Sequence, residues 1–447
     1  MLTASEEPSS GLPVAGRLGA IKRHPLLSLL VISTIVALAI SCLSLLTSMS
    51  VSWPNAEAWQ DYSLAYVQQA NYLRSGFLPY VNYFYAYPPP FLYVLTAFSF
   101  IPSSWGSAVP LVAASALTAI PVFLVGKRVF GEGVALTAAA LTIFAPMGLF
   151  YSDYLWLNPS LTTLFLMLSI YYLLEGRLDL SALLIAFSIG FKQTALFALP
   201  IVLIYLSRKT GRRAALRYLI LVAALALLYS LPWIVVCTKL YLFSVFRIPY
   251  QFWSSTTEPN GYYFGLGFPG QAPPLTGTYA ATLQGIESVW NHFAAPNSAS
   301  SLSLSTMILL FPGASISSYL SAELSMNFVF VCGYLALLFA ERRLGKLDEV
   351  ALLRYVMYGL LLLFALYPIY KYYIVGAIPF LALFSQNRRD GFAFFGFNLA
   401  MLVIPRIATP FLALGLFLWM TRKDIGFAHR TGGVTKEPIV EQVVPPV

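Results

Sequence analysis

Long apolar stretches alternate with short polar ones along most of the chain. The first apolar stretch, 26–50, follows Lys22, Arg23 and His24. At about 25 residues it is long enough to cross roughly 30 Å of hydrocarbon. It exceeds a signal-peptide core and no small-residue cleavage site closes it, so it predicts a retained helix. Residues 88–101 are too few to span comfortably and predict an interfacial helix, with proline at its start where a missing N–H is harmless. Stretches 105–126, 133–151 and 155–174 predict three further crossings. Stretch 180–207 carries Gly190, Lys192 and Gln193 at its middle. It predicts two short helices with an outward turn at Lys192, because a single helix would hold a lysine in hydrocarbon. Stretches 214–237, 322–340, 350–367 and 374–384 predict crossings, and 392–420 two short helices that turn outside at Arg406. The expectation is an all-α polytopic membrane protein with about twelve transmembrane helices and interfacial helices in its first outer loop.

The polar segments decide the topology. Lys127 and Arg128, then 208–217, then Glu341 to Lys346, then Arg388 and Arg389, then Arg422 and Lys423 all fall on one side under this alternation. Clustered basic residues mark the cytoplasmic face. The sequence therefore divides into a cytoplasmic segment 1–25, a membrane domain 26–423 and a cytoplasmic tail 424–447. The membrane domain carries a first outer loop, 51–104, and a large outer loop, 238–321. Segment 1–21 has no periodicity and the composition of a poorly ordered stretch. The expected location is the plasma membrane, or the ER membrane in a eukaryote, with the N-terminus cytoplasmic and the functional face outside or lumenal.

Composition sharpens this picture. The chain is 58% apolar and 10% charged, with a net charge of +9. That excess is spent on topology, scattered in short segments between apolar runs, which argues against nucleic acid as a partner. Cys42, Cys237 and Cys332 share no motif spacing and read as core thiols. His24, His292 and His429 lie far apart and form no zinc-ligand pair. Asn158 is followed by Pro159, so it is not a glycosylation acceptor.

The chemistry is expected on the outer side, where Glu57, Asp61, Arg74, Asp153, Lys192, Lys239, Arg247, Glu258, Lys371 and Arg406 fall at predicted helix ends. A few carboxylates among several cations at headgroup depth suit a lipid phosphate and a group that loses a proton. One carboxylate would act as general base on a hydroxyl while cations hold the departing phosphate. Aromatic residues of 62–93 and 250–268 offer flat apolar faces for a sugar or an isoprenoid tail, and suit an interfacial belt equally well. A nucleotide-sugar donor would call for a soluble doubly wound domain with a phosphate-binding loop, and no extramembrane segment has that length or glycine pattern.

Asp61 after the first helix, then Ala70, Leu73, Gly76, Pro79 and Tyr80, then Tyr87, Pro88 and Pro89, resemble the polytopic glycosyltransferases of the GT-C superfamily. Residues 191–200, FKQTALFALP, and 371–379, KYYIVGAIP, are similar to the Lys/Pro boxes of polyprenyl-phosphate-sugar mannosyltransferases of the GT87 and GPI-mannosyltransferase kind. The resemblance implies transfer of a hexose, mannose or a similar sugar, with inversion, from a polyprenyl-phosphate donor to a hydroxyl of a glycolipid or glycan. It implies Asp61 as the base, Asp153 as a second acid, and Lys192 and Lys371 as phosphate contacts. Arg247, Tyr87 and Tyr373 are further substrate-binding candidates. There is no paired D-x-D motif, so neither a catalytic metal nor a cofactor is expected. Two other classes stay open: a transporter or lipid flippase, and a non-catalytic subunit of a glycan-assembly complex.

Overall fold

A computed structural model describes residues 24–48, 61–80, 85, 87–103, 105–246, 348–366, 371–404 and 408–431. Every extended element among them is helical, and the chain is an integral membrane protein. The helices are α1 (Pro25–Leu46), α2 (Gln68–Arg74), α3 (Pro89–Phe98), α4 (Val109–Phe130), α5 (Glu132–Ile143), α6 (Pro159–Leu174) and α7 (Leu178–Phe191). After them come α8 (Leu199–Lys209), α9 (Arg212–Phe246), α10 (Glu349–Leu366), α11 (Ile378–Leu383), α12 (Arg388–Val403) and α13 (Thr409–Thr431). Among the described residues, four segments are long and apolar enough to cross a membrane: 25–46, 106–130, 132–154 and 212–238. The expected count of about twelve crossings includes stretches within 247–347, which lie outside the described residues, as does the large outer loop beyond Phe246.

Proline sets many of the starts. α1, α3, α4, α6, α8 and α11 each carry proline in their first two positions, where its fixed φ suits the helix and its missing N–H costs nothing. The predicted break at Lys192 is present: α7 ends at Phe191, Lys192 is extended, and a 3₁₀ turn, Gln193–Ala198, leads into α8. The predicted pair of helices after Arg388 is also present, as α12 and α13.

α1 shows how a helix is sorted in lipid. Its buried positions are Leu29, Ser33, Ala37, Ser41 and Ser44, while Leu27, Ile35, Leu38 and Leu45 are exposed. Apolar side chains gain nothing by leaving lipid, so small residues take the packed face and let backbones approach. The same rule brings α4 against α5. A Cβ on Gly126 would stand 2.9 Å from the Cα of Ala135, so only glycine permits this crossing. Between α6, α7 and α9 the Ser181 hydroxyl donates to the Ser169 carbonyl at 2.8 Å and lies 3.0 Å from the Tyr218 hydroxyl. Such hydrogen bonds fix helix pairs where hydrocarbon supplies no hydrophobic drive.

The charged ends gather as the alternation requires. Arg128 at the end of α4 pairs with Glu175 after α6 and with Glu349 at the start of α10, and Glu349 also pairs with Lys209 at the end of α8. Arg217 pairs with Asp179 beside them in sequence. The ends of α4, α6, α8 and the starts of α7, α9 and α10 therefore share one end of the bundle. The start of α6 and the end of α7 lie at the other.

Candidate active site

From that ionic end α6 and α7 run 16 and 14 residues. At about 1.5 Å per residue they reach about 24 and about 21 Å, short of the roughly 30 Å of hydrocarbon. Lys192 and Asn158, at their far ends, are thus held inside the bundle rather than at a wet rim. The sequence predicts an outward, hydrated Lys192; instead it is 1% exposed.

Glycine and proline position it. Gly190 faces Pro90 so closely that a Cβ there would stand 2.8 Å from the proline ring. This notch seats the Tyr-Pro-Pro-Pro stretch of 87–90 against the last turn of α7. Two residues on, the extended backbone of Lys192 (φ −160°, ψ 132°) breaks the helix. Its ammonium donates to Asn158 Oδ1 at 2.7 Å. It lies 3.3 Å from the ring centre of Tyr373, 4.2 Å from Tyr372 and 5.8 Å from Tyr87. Electron-rich ring faces and an amide oxygen replace the water that a buried cation loses. The Tyr87 and Tyr372 hydroxyls are 3.4 Å apart.

The cage continues to the element that carries Asp61. Residues Asp61–Val67 form a π-helical turn that leads into α2. Asp61 opens the turn and Tyr66 follows about one π turn later. The Asn158 N–H donates to the Tyr66 hydroxyl at 3.3 Å, and the Tyr66 ring meets Tyr87 and Phe91 edge-on. Tyr62, also in the turn, meets Trp156 edge-on at 4.9 Å. Burial raises the Tyr62 phenol above its usual range, so it stays protonated at physiological pH. The backbone of Asp61 is described, its side chain is not.

The other expected residues separate. Lys371 is fully buried, but its ammonium points to the carbonyl oxygens of Ile404 (2.6 Å) and Leu402 (3.5 Å) at the end of α12. A cation there satisfies carbonyls that the helix leaves without partners and complements its dipole. Its neighbours Tyr372 and Tyr373 turn toward Lys192 instead. Asp153 sits in a second π-helical turn, Leu149–Tyr154, which also carries Tyr151. The Tyr151 ring is 6.1 Å from Tyr372, whereas Asp153 lines a separate small cavity in whose wall Lys192 has no part. Arg74 is exposed and donates to the Ser99 carbonyl at 2.8 Å. Arg247, with Glu57, Glu258 and Arg406, lies outside the described residues.

Sequence reasoning missed Asn158, Tyr66 and Tyr372. Asn158 had a readable signal, since asparagine before a proline at a helix start is a cap position. Its side chain makes no cap bond to α6, because its oxygen is committed to Lys192. No feature of the sequence announces the two π turns.

On this geometry the comparisons fall as follows. The sequence model of the family described as "ALG3 protein", of the GT-C kind, matches residues 60–257, from the Asp61 turn through Asn158 and Lys192 into the large loop. The resemblance read from the sequence is borne out over that stretch. No curated protein matches the chain. Among solved structures it is similar to the Archaeoglobus fulgidus oligosaccharyltransferase in the apo form, at 16% identity and TM-score 0.44 over 88% of this chain and 56% of that one. It is similar also to ArnT from Cupriavidus metallidurans in the apo state, at 13% identity and TM-score 0.38 over 83% and 77% of the two chains. The same ArnT bound to undecaprenyl phosphate gives 15% identity and TM-score 0.38 over 86% and 77%. The chain thus spans little more than half the length of that oligosaccharyltransferase.

Proposed function

We propose that this protein is a membrane glycosyltransferase that moves a hexose, mannose or a close analogue, from a polyprenyl-phosphate donor to a hydroxyl of a glycolipid or glycan acceptor. The observation that carries the reading is the lysine held in a tyrosine cage beside the Asp61 turn. A cation kept so deep has use for an anion that arrives with a lipid, and a polyprenyl phosphate is one.

In the proposed reaction the Asp61 carboxylate takes the proton of the acceptor hydroxyl as its oxygen attacks C1 of the sugar. The bond from C1 to the phosphate oxygen breaks on the opposite face, the configuration inverts, and polyprenyl phosphate leaves with the bonding electrons. Lys192 balances the charge that the leaving phosphate gains. Tyr87 and Tyr373 flank the phosphate and the first sugar, and Arg247 is assigned a supporting contact from the large loop. Lys371 acts from behind, by fixing the end of α12 and so the position of Tyr372 and Tyr373. An apolar groove of about 470 Å³ supports the choice of a lipid-borne donor. It runs between α1 and α4, past Leu38, Leu45, Val109 and Val112, and ends at Trp156, whose ring touches Tyr62 next to Asp61. An isoprenoid chain matches its apolar chemistry.

The deciding experiment incubates purified protein with labelled polyprenyl-phosphate hexoses and a total lipid extract and identifies the labelled product by mass. Asp61→Asn is expected to lower transfer by about 10²–10⁴-fold with folding and membrane insertion intact. Transfer undiminished in that variant would remove Asp61 from the mechanism. No transfer from any donor, with lipid or ion flux in liposomes, would turn the assignment to a transporter.

A further inference from the structure

Asp153 lines a cavity of about 40 Å³ between α1, α4, the end of α5, the start of α6 and α11. The side chain is 4% exposed, and its Oδ1 has no hydrogen-bond partner among the described residues. The hydroxyl of Ser152, in the same wall, has none either. Ser115 donates to the Asp153 carboxyl.

The wall mixes apolar side chains with hydroxyls, and three of those hydroxyls are already committed as donors. Thr118 donates to the Ala114 carbonyl at 2.7 Å, Thr142 to Ala138 at 2.8 Å and Thr163 to Pro159 at 2.6 Å, each back along its own helix. Each hydroxyl therefore presents lone pairs, not a proton, to the space it lines. No cationic side chain stands among the described residues that line the cavity, and a lone carboxylate at this depth costs several kcal/mol unless it is neutralised.

Three features select what would neutralise it. No second acid lines the cavity among the described residues, so one carboxylate balances one positive charge and not two. Hard divalent ions take several carboxylates or keep several waters, for which the space is too small. The backbone is also broken here: α5 stops at Ile143, and a single turn, Pro146–Gly148, precedes the π turn of Asp153. Unwound backbone and helix C-terminal ends coordinate sodium in secondary transporters.

We infer that Asp153, Ser152 and the threonine hydroxyls of this cavity bind a sodium-sized monovalent cation that holds the broken helix between α5 and α6 against α1 and α4. The test of this site reads stability rather than activity. Full-length protein in detergent is unfolded thermally while sodium chloride replaces N-methylglucamine chloride from about 1 to about 100 mM at constant ionic strength. The midpoint of unfolding is expected to rise by several degrees with sodium. Asp153→Asn, which supplies an amide donor and no charge, is expected to abolish the rise. Ser152→Ala, which keeps the carboxylate, is expected to move the response to at least about threefold higher sodium. A wild-type protein indifferent to sodium overturns the inference, because the carboxyl would then be neutralised by a proton. A rise of equal size in Asp153→Asn overturns it too. Should that variant fail to fold, an unchanged sodium response in Ser152→Ala decides against the site.

Discussion

A lysine inside a membrane protein must be solvated by its neighbours, and at Lys192 these are three tyrosine rings and one amide oxygen. The choice of asparagine at 158 follows. Its oxygen faces the ammonium, because the reverse orientation would set two donors together. A cation so placed is costly unless it does something the fold alone does not need. Lys192→Met keeps the length and the apolar stem and is expected to lower hexose transfer by about 10²–10³-fold, read as kcat with the labelled donor. The melting temperature should stay level or rise, since a buried charge is replaced by an apolar chain of similar volume. A variant that melts at lower temperature while transferring normally would make Lys192 structural.

At the scale of the element, the site depends on where helices stop. α7 ends at Lys192 rather than continuing into α8, and Gly190 lets Pro90 approach within the last turn. Gly190→Val places side-chain carbon where the proline ring stands, and neither can rotate away. Overpacking of this kind costs about 1–3 kcal/mol. The expected outcome is a lower midpoint of thermal unfolding together with weakened transfer, because Tyr87 moves with Pro90. Gly126→Ala is the matched control, a tight glycine contact between α4 and α5 at the ionic end. It should destabilise without a selective effect on transfer. A Gly190 variant that melts like the wild type would show that the notch has room to relax.

For the whole molecule, the ion pairs tie the ends of α4, α6 and α8 to the start of α10, and the cage closes the opposite end. Exposed pairs of this sort contribute well under about 1 kcal/mol each, so they mark sidedness more than they stabilise. Basic clusters mark cytoplasmic ends as a rule, and on that rule we propose that this end faces the cytoplasm. In a background lacking the native cysteines, a cysteine at Gly211, beside Arg212 and Arg213, is expected to react with an impermeant thiol reagent only once the cytoplasmic face is opened. A cysteine at Leu78, exposed beyond α2, should react in intact cells or sealed right-side-out vesicles. Labelling of both from one side would invert or abolish the assigned topology.

What the sequence by itself determined was the alternation: which stretches are apolar enough for lipid, where proline starts a helix, which basic clusters share a side, and that Lys192 breaks its stretch. These are local properties, set by side-chain solubility and backbone geometry within a few residues. The GT-C resemblance over 60–257 belongs here too, because it is carried by the order of residues. Tertiary structure alone decided which candidates meet. Lys192 and Lys371 look alike in sequence, each a lysine before an apolar segment. One is caged by tyrosines and the other caps α12, because the neighbours of a side chain come from helices far away in the chain. Asp153 likewise lies not at the expected outer rim but buried in a cavity of mixed apolar and hydroxyl lining, in a π turn whose extra residue no composition signals.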